Sequence, residues 1–196
     1  MDKLDTLFVH RPSDFLNRAE VTTPFYEKRT INTQETIRDY RMYKKLSLQN
    51  GINWKSYTWD VIKPDYSKIV QAMKYLPQIN ILDTQTGEVV GYRWRNSPDF
   101  SVLESDVDPN SMNIYYINVH ADNNNIYATY WGKEPWSGQF PYVNSIHVFD
   151  WNGNLLYELI TDKSFFHIWV DQIRNRLYTI DMNTDEVSYI DLDDLN

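Results

Sequence analysis

The chain has 196 residues, a formal net charge of −8 and no cysteine. This length allows one or two domains. The acidic net charge argues against nucleic acid or an anionic membrane surface as a general partner. The lack of cysteine excludes disulfides, thiolate nucleophiles and cysteine-ligated metals. With fifteen Tyr, seven Trp and only six Gly, the composition is typical of an ordered, β-rich protein.

The first 55 residues carry the weakest pattern. Residues 7–10 (L-F-V-H) predict a short strand, Ser13 is a possible start of a helix, and residues 33–45 fit either a helix or a pair of strands. We interpret residues 1–55 as an irregular N-terminal segment that could be an incomplete copy of the repeat that follows.

Residues 56–196 repeat one strand pattern three times. In the clearest copy, residues 124–160, Ile126 and Ala128 alternate with their neighbours as in a half-buried strand. Gly153, in the run D-W-N-G, can adopt the positive φ of a tight hairpin turn. We predict strands near residues 57–62, 68–76, 79–83, 88–94, 114–120, 125–131, 145–150, 155–160, 165–170, 176–180 and 186–191.

The spacing within the copies supports a true repeat. Ile69 and Ile79 are ten residues apart, as are Leu177 and Val187, and the middle copy holds the same two strands with an insertion between them. Four-stranded antiparallel meanders that recur in this way are typical of a β-propeller, and a β-sandwich of unrelated hairpins is the alternative. We therefore predict an all-β, partial propeller with blades at residues 56–94, 113–160 and 164–196.

Three short motifs carry a resemblance to a known family. They are K-P-D-x-x-K-I-V at residues 63–70, N-N-I-Y-A at residues 124–128 and I-H-V-F-D-W-N-G-N at residues 146–154. Together they resemble the bacterial TolB-like six-bladed propellers, relatives of the NHL-repeat type. The resemblance implies a ring exported to the periplasm or outer membrane, without a catalytic motif. Six blades would need roughly 250 to 300 residues, so this chain fits a partial ring.

Export would need a signal that lies outside this chain. The first residues, M-D-K-L-D, lack the apolar core of a signal peptide, and no run of about 18 apolar residues could span a bilayer.

Metal and cofactor motifs are not found in the sequence. The four histidines form no H-x-H or H-x-x-x-H pair, which argues against a zinc site, and His147 beside Phe149 is expected to be structural. Asp181 opens a run like a calcium loop, but Glu186 stands where that loop needs Gly and Leu192 where it needs an acidic ligand. A hairpin turn explains this run better, and we predict no metal and no cofactor.

Catalytic motifs are not found either. Neither G-x-S-x-G nor G-x-x-x-x-G-K occurs. Carboxylates cluster at Glu104, Asp106 and Asp108 and again at residues 191–194, but a flexible run does not fix the separation that acid–base catalysis needs. We therefore assign no catalytic residue.

Strand direction places the predicted binding residues. In an antiparallel meander, the loops between strands two and three and the loops between blades emerge at the same rim. The long loop at residues 131–142 carries several aromatics, which suit stacking on sugars or anchoring a partner protein. Alternatively, they fold inward and cap the channel. His167 and Trp169 share a face of the last blade's innermost strand and could line the channel. The predicted contact residues are Trp131, Trp136, Tyr142, His167 and Trp169.

These patterns leave three functional hypotheses. The first is a non-enzymatic binding or protein-interaction module of the cell envelope, with an unknown protein or carbohydrate ligand. The second is a hydrolase or other enzyme that acts on a carbohydrate or small molecule in the channel, and the third is a scaffold without a small ligand. The first is favoured because a propeller presents its loops on a rigid ring and no catalytic constellation is evident.

A partial ring also predicts association. Two terminal sheets would lack a neighbouring blade, and exposed apolar faces of that size seek partners. The last blade lacks an outer strand, which Leu7–His10 could supply from the same chain or from a second copy. We therefore expect self-association or a larger parent chain.

Overall fold

The structure is a computed structural model that describes residues 57–98, 101–104, 107–108, 111–134, 143–165, 167–181 and 183–195, together with five strands in the first 50 residues. Those strands are β1 (Asp2–Lys3), β2 (Leu7–His10), β3 (Phe15–Ala19), β4 (Tyr26–Arg29) and β5 (Thr36–Tyr40). The predicted rim residues Trp136 and Tyr142 lie outside the described residues.

Three antiparallel sheets form the blades. Blade 1 contains β6 (Thr58–Ile62), β7 (Lys68–Met73), β8 (Gln78–Asp83) and β9 (Val89–Trp94). Blade 2 contains β10 (Ile114–Ala121), β11 (Asn125–Lys133), β12 (Ser145–Asp150) and β13 (Leu155–Thr161). Blade 3 contains β14 (His167–Asp171), β15 (Arg176–Ile180) and β16 (Val187–Asp191). Helix α1 (Ser101–Glu104) lies between blades 1 and 2, and a 3-10 turn (Leu192–Leu195) follows β16.

The predicted all-β architecture is confirmed. Every predicted strand has an observed counterpart whose ends agree within three residues. Consecutive strands pair within each blade, and β10 contacts both β6 and β14, so the first strands of the three blades adjoin one another. This is the arrangement of a partial propeller, in which the first strand of each blade is the inner one.

Two predictions for the N-terminal segment are wrong. Leu7–His10 does not complete the last blade, because it pairs antiparallel with β13 as a fifth strand of blade 2. The position beside β16 is taken by β1, in parallel orientation. Both β13 and β16 offer an open edge, and an apolar strand pattern does not specify which edge it will join. The helix expected to start at Ser13 is also wrong, because the residues that follow form β3 (Phe15–Ala19), which pairs with β9 of blade 1.

Alternating side chains build the two cores between blades. Ile146 and Val148 on β12 face blade 3, where they pack with Ile168 and Val170. Phe149 on the same strand faces blade 1. Because β12 is covered on both faces, its first five residues are all buried, although its pattern resembles a half-exposed strand.

The two end faces of the arc differ. On the blade 1 face turned away from blade 2, Gln71, Asn80 and Leu82 are each at most 1% exposed. On the corresponding face of blade 3, Trp169 is 64% exposed and Ile180 is 37% exposed. The expectation of two open end faces is therefore wrong for blade 1 and holds for blade 3, which is the face that can meet a ligand or partner.

Side-chain carboxylates fix the hairpin turns. The Asp181 Oδ1 atom accepts hydrogen bonds from the backbone N–H groups of Asn183 and Thr184, at 2.7 and 3.1 Å. These hydrogen bonds lower the pKa of the Asp181 carboxyl, and the bond from Asn183 has the largest effect. Asp83, Asp150 and Asp171 accept from their own turns in the same way. The sequence that resembles a calcium loop is therefore a turn, as predicted.

Candidate functional site

The exposed face of blade 3 contains a pocket of about 620 Å³. One wall comes from the inner strand β10 of blade 2, and the rest comes from the three strands of blade 3. Two of its residues, His167 and Trp169, are among those predicted from the sequence. The lining consists of Asn118, His120, His167, Ile168, Trp169, Tyr178, Ile180 and Val187.

Trp169 is the largest exposed surface at the pocket. The burial of β14 alternates, because Ile168 and Val170 pack into the core between blades 2 and 3. Its odd-numbered residues therefore point to the opposite face, and Trp169 there is 64% exposed. The strand thus presents an indole to solvent at the pocket.

His120 supports the Trp169 ring from blade 2. The two ring centroids are 4.6 Å apart, with 48° between the ring planes. The backbone N–H of Val170 donates a hydrogen bond of 3.4 Å to Nδ1 of His120, so that nitrogen is the acceptor and the neutral ring carries its proton on Nε2. Partial burial lowers the pKa of His120, and Asp122 acts in the opposite direction. The imidazole is therefore neutral at neutral pH.

Asn118 and His167 form a polar pair at the pocket. Nδ2 of Asn118 lies 2.8 Å from Nδ1 of His167. A carboxamide nitrogen can only donate, so Nδ1 of His167 accepts and Nε2 carries the proton of the neutral ring. The pair orients a carboxamide and an imidazole beside the exposed indole.

Two ion pairs lie on blade 3, outside the described pocket lining. Nε of Arg176 lies 2.8 Å from an oxygen of Asp191, and the guanidinium stands 4.1 Å from the centre of the Tyr189 ring. On the neighbouring turn, Arg174 lies 2.7 Å from Asp171. The described lining itself contains no Asp, Glu, Lys or Arg. The pocket therefore offers an aromatic surface and neutral polar groups.

Trp131 lies elsewhere and is half-buried. It packs against the core between blades 2 and 3, and the Lys133 ammonium stands 5.1 Å from the centre of its ring. Its indole nitrogen is 3.4 Å from the carbonyl oxygen of Glu134. These contacts fit the alternative in which rim aromatics fold inward, although they leave part of the ring exposed.

His147 lies in a buried aromatic cluster, apart from the pocket. The Tyr130 ring stacks on it with centroids 4.0 Å apart, and the Tyr116 hydroxyl is 3.1 Å from Nδ1. A carboxylate oxygen of Glu158 is 3.7 Å from Nε2. Complete burial raises the pKa of Tyr116. This histidine serves packing between blades, which agrees with its expected structural role.

Sequence reasoning missed Asn118 and His120. They are two apart on β10 and therefore share a side of that strand, a pattern that could have marked them together with His167 and Trp169. Within the described residues, no three His, Asp or Glu side chains are grouped so that they could hold a metal ion. In the same part of the chain, no helix has the length and apolar character needed to cross a membrane.

Comparisons with known proteins support the fold and leave the function open. No protein-family model matches the chain, and no curated protein matches it. Among solved structures, the chain is similar to the β-propeller domain of Cps50 (Swd1) from Myceliophteria thermophila, with a TM-score of 0.50 and 10% sequence identity. The match covers 91% of this chain and 54% of that one, so the chain spans about half the length of its structural relative.

Proposed function

We propose that this chain is a non-enzymatic binding module that holds a ligand or partner in the pocket around Trp169. The observation that carries the proposal is that Trp169 is 64% exposed at a pocket of about 620 Å³. Small-molecule sites in proteins commonly measure about 300 to 1000 Å³ and combine aromatic walls with a few placed polar groups.

The composition of the pocket favours binding over hydrolysis. Acid–base hydrolysis of a glycosidic bond uses two carboxyl groups at a set separation, and the lining residues Asn118, His120, His167 and Tyr178 supply neutral polar groups instead. Trp169 and Ile180 are both exposed in the pocket lining, and exposed apolar residues at a pocket favour an interaction site over a scaffold without a ligand.

The rim and the cellular location form a second part of the proposal. We also propose a contact through Trp131, Trp136 and Tyr142 in the segment at residues 131–142. The support for this contact is the strand direction alone, because most of the segment lies outside the described residues. The resemblance to TolB-like, NHL-related six-bladed propellers supports a place in the bacterial periplasm or at the outer membrane. Fractionation of the native host tests that place, and recovery with cytoplasmic markers would contradict it.

A ligand screen with matched variants tests the binding function. Thermal-shift assays with glycan and peptide libraries should give binders whose affinity falls by about 1 to 3 kcal/mol in Trp169→Ala. Ile173→Ala is the control, because Ile173 is 95% exposed on the neighbouring turn and lies outside the pocket lining. Binders that tolerate the Trp169 change as well as the Ile173 change would contradict the proposed site.

A further inference from the structure

We infer that the pocket takes a neutral saccharide, with one sugar ring stacked on Trp169 and its hydroxyl groups bound by Asn118 and His167. The inference rests on the proposed function and specifies the class of ligand. Three properties of the pocket carry it: its charge, its aromatic platform and its polar pair.

The charge of the pocket selects an uncharged ligand. None of the described lining residues is Asp, Glu, Lys or Arg. On blade 3, Arg176 is paired with Asp191 and Arg174 with Asp171. A phosphate, carboxylate or ammonium ligand would lose its hydration without gaining an ion pair, which is unfavourable. An uncharged ligand avoids this penalty.

The platform is the partly exposed ring of Trp169. His120 contacts the Trp169 ring at 4.6 Å between centroids, while 64% of the tryptophan remains exposed. A pyranose ring presents a flat patch of C–H groups, which can cover an aromatic face. The apolar side chains of Ile180 and Val187 border the same pocket and extend the surface on which such a patch can rest.

The polar pair distinguishes a sugar from an apolar side chain. Asn118 and His167 are hydrogen-bonded at 2.8 Å, and together a carboxamide and an imidazole offer both donors and acceptors. An apolar partner that covered them would remove water from these groups without replacing its hydrogen bonds. Sugar hydroxyls both donate and accept, so they can replace that water.

Calorimetric titration of the whole chain with defined saccharides tests the inference. The neutral probes are glucose, galactose, mannose, N-acetylglucosamine and their oligomers, and the acidic probes are glucuronate and sialic acid. We expect at least one neutral saccharide to bind, with affinity reduced about tenfold or more in Trp169→Ala and less in Trp169→Phe, which keeps an aromatic face. Ile173→Ala should bind as the unaltered protein does.

The polar pair has a separate test. Asn118→Ala should lose about tenfold in affinity for the same saccharide. A monodeoxy analogue that lacks the hydroxyl bound by Asn118 should bind the unaltered protein about as weakly as the parent sugar binds Asn118→Ala. The Asn118→Ala variant should bind the analogue and the parent sugar with equal affinity. Circular dichroism and thermal melting of each variant separate lost binding from lost folding.

The other outcomes separate the two proposals. Binding of acidic saccharides alone would overturn the neutral class. If no saccharide binds but a tryptophan- or tyrosine-containing peptide binds in a Trp169-dependent way, the inference is overturned and the binding function stands. If neither saccharides nor peptides bind through Trp169, both are overturned. Equal losses in Trp169→Ala and Ile173→Ala would show nonspecific adsorption and would also overturn the inference.

Discussion

The indole of Trp169 and the imidazole of His120 lie 4.6 Å apart, centroid to centroid, and join the inner strands of blades 2 and 3. The sequence separates these residues widely, and only the packing of one blade against the next brings them together. Through this contact, the exposed indole packs against blade 2 beside the pocket.

Removing the His120 ring should therefore weaken binding more than it weakens folding. In His120→Ala the indole loses its neighbour and gains rotamer freedom, which ligand binding must then remove. His120→Phe keeps a ring in contact with Trp169 and serves as the control. We expect the affinity of a Trp169-dependent ligand to fall in the Ala variant and to be largely kept in the Phe variant. Equal affinities in both variants would contradict the supporting role.

Acidification should reduce stability through His120. Partial burial lowers the pKa of this group below its ordinary value of 6.5, so the unfolded chain binds its proton more readily than the folded chain. The resulting stability is present above about pH 6.5 and is lost as pH falls through the lower, folded-state pKa. His120→Phe should show a flatter fall in melting temperature between about pH 7.5 and 5. Parallel curves for the two proteins would contradict this source of pH dependence.

Gly153 should tolerate no side chain. Its φ is +81°, and a Cβ atom placed there would lie 2.3 Å from the Tyr92 ring of blade 1. Gly153→Ala combines a left-handed backbone cost of roughly 1 to 2 kcal/mol with this clash. In a Tyr92→Ala background only the backbone cost should remain, so the two changes should be strongly non-additive in denaturant unfolding. Simple additivity would show that Tyr92 moves away without cost.

The hairpin at Gly153 belongs to the part of the fold that the sequence predicts well. Side-chain alternation and turn residues are local, so they locate strands such as β12 and turns such as that at Asp181. Local alternation and turn residues do not specify which distant strands pair with each other. The pattern of Leu7–His10 identifies a strand without identifying β13 as its neighbour.

The candidate site was predictable in part for the same reason. His167 and Trp169 are two apart on one strand, so their shared face is evident from sequence. Asn118 lies 49 residues before His167, and their contact depends on how blade 2 meets blade 3. The shielding of Gln71 and Asn80 on blade 1 likewise depends on packing beyond their own strands.

Self-association should use the exposed face of blade 3. Its face exposes Trp169 and Ile180, whereas the end face of blade 1 buries Gln71 and Leu82. A single exposed apolar face can be buried by the same face of a second copy, so we expect twofold dimers rather than open chains. Light scattering across micromolar concentrations should show a dimer that Trp169→Lys disrupts and Ile173→Lys does not. A monomer at every concentration would contradict this prediction.

NMR of ¹⁵N-labelled protein shows directly whether a ligand contacts Trp169. The indole N–H signal of Trp169 is the one that disappears in Trp169→Phe. Titration with a binder from the thermal-shift screen should shift this signal first and saturably, and signals from the buried Trp151 should stay in place. A bound ligand that leaves the Trp169 signal unchanged while it shifts other tryptophan signals would contradict the proposed contact.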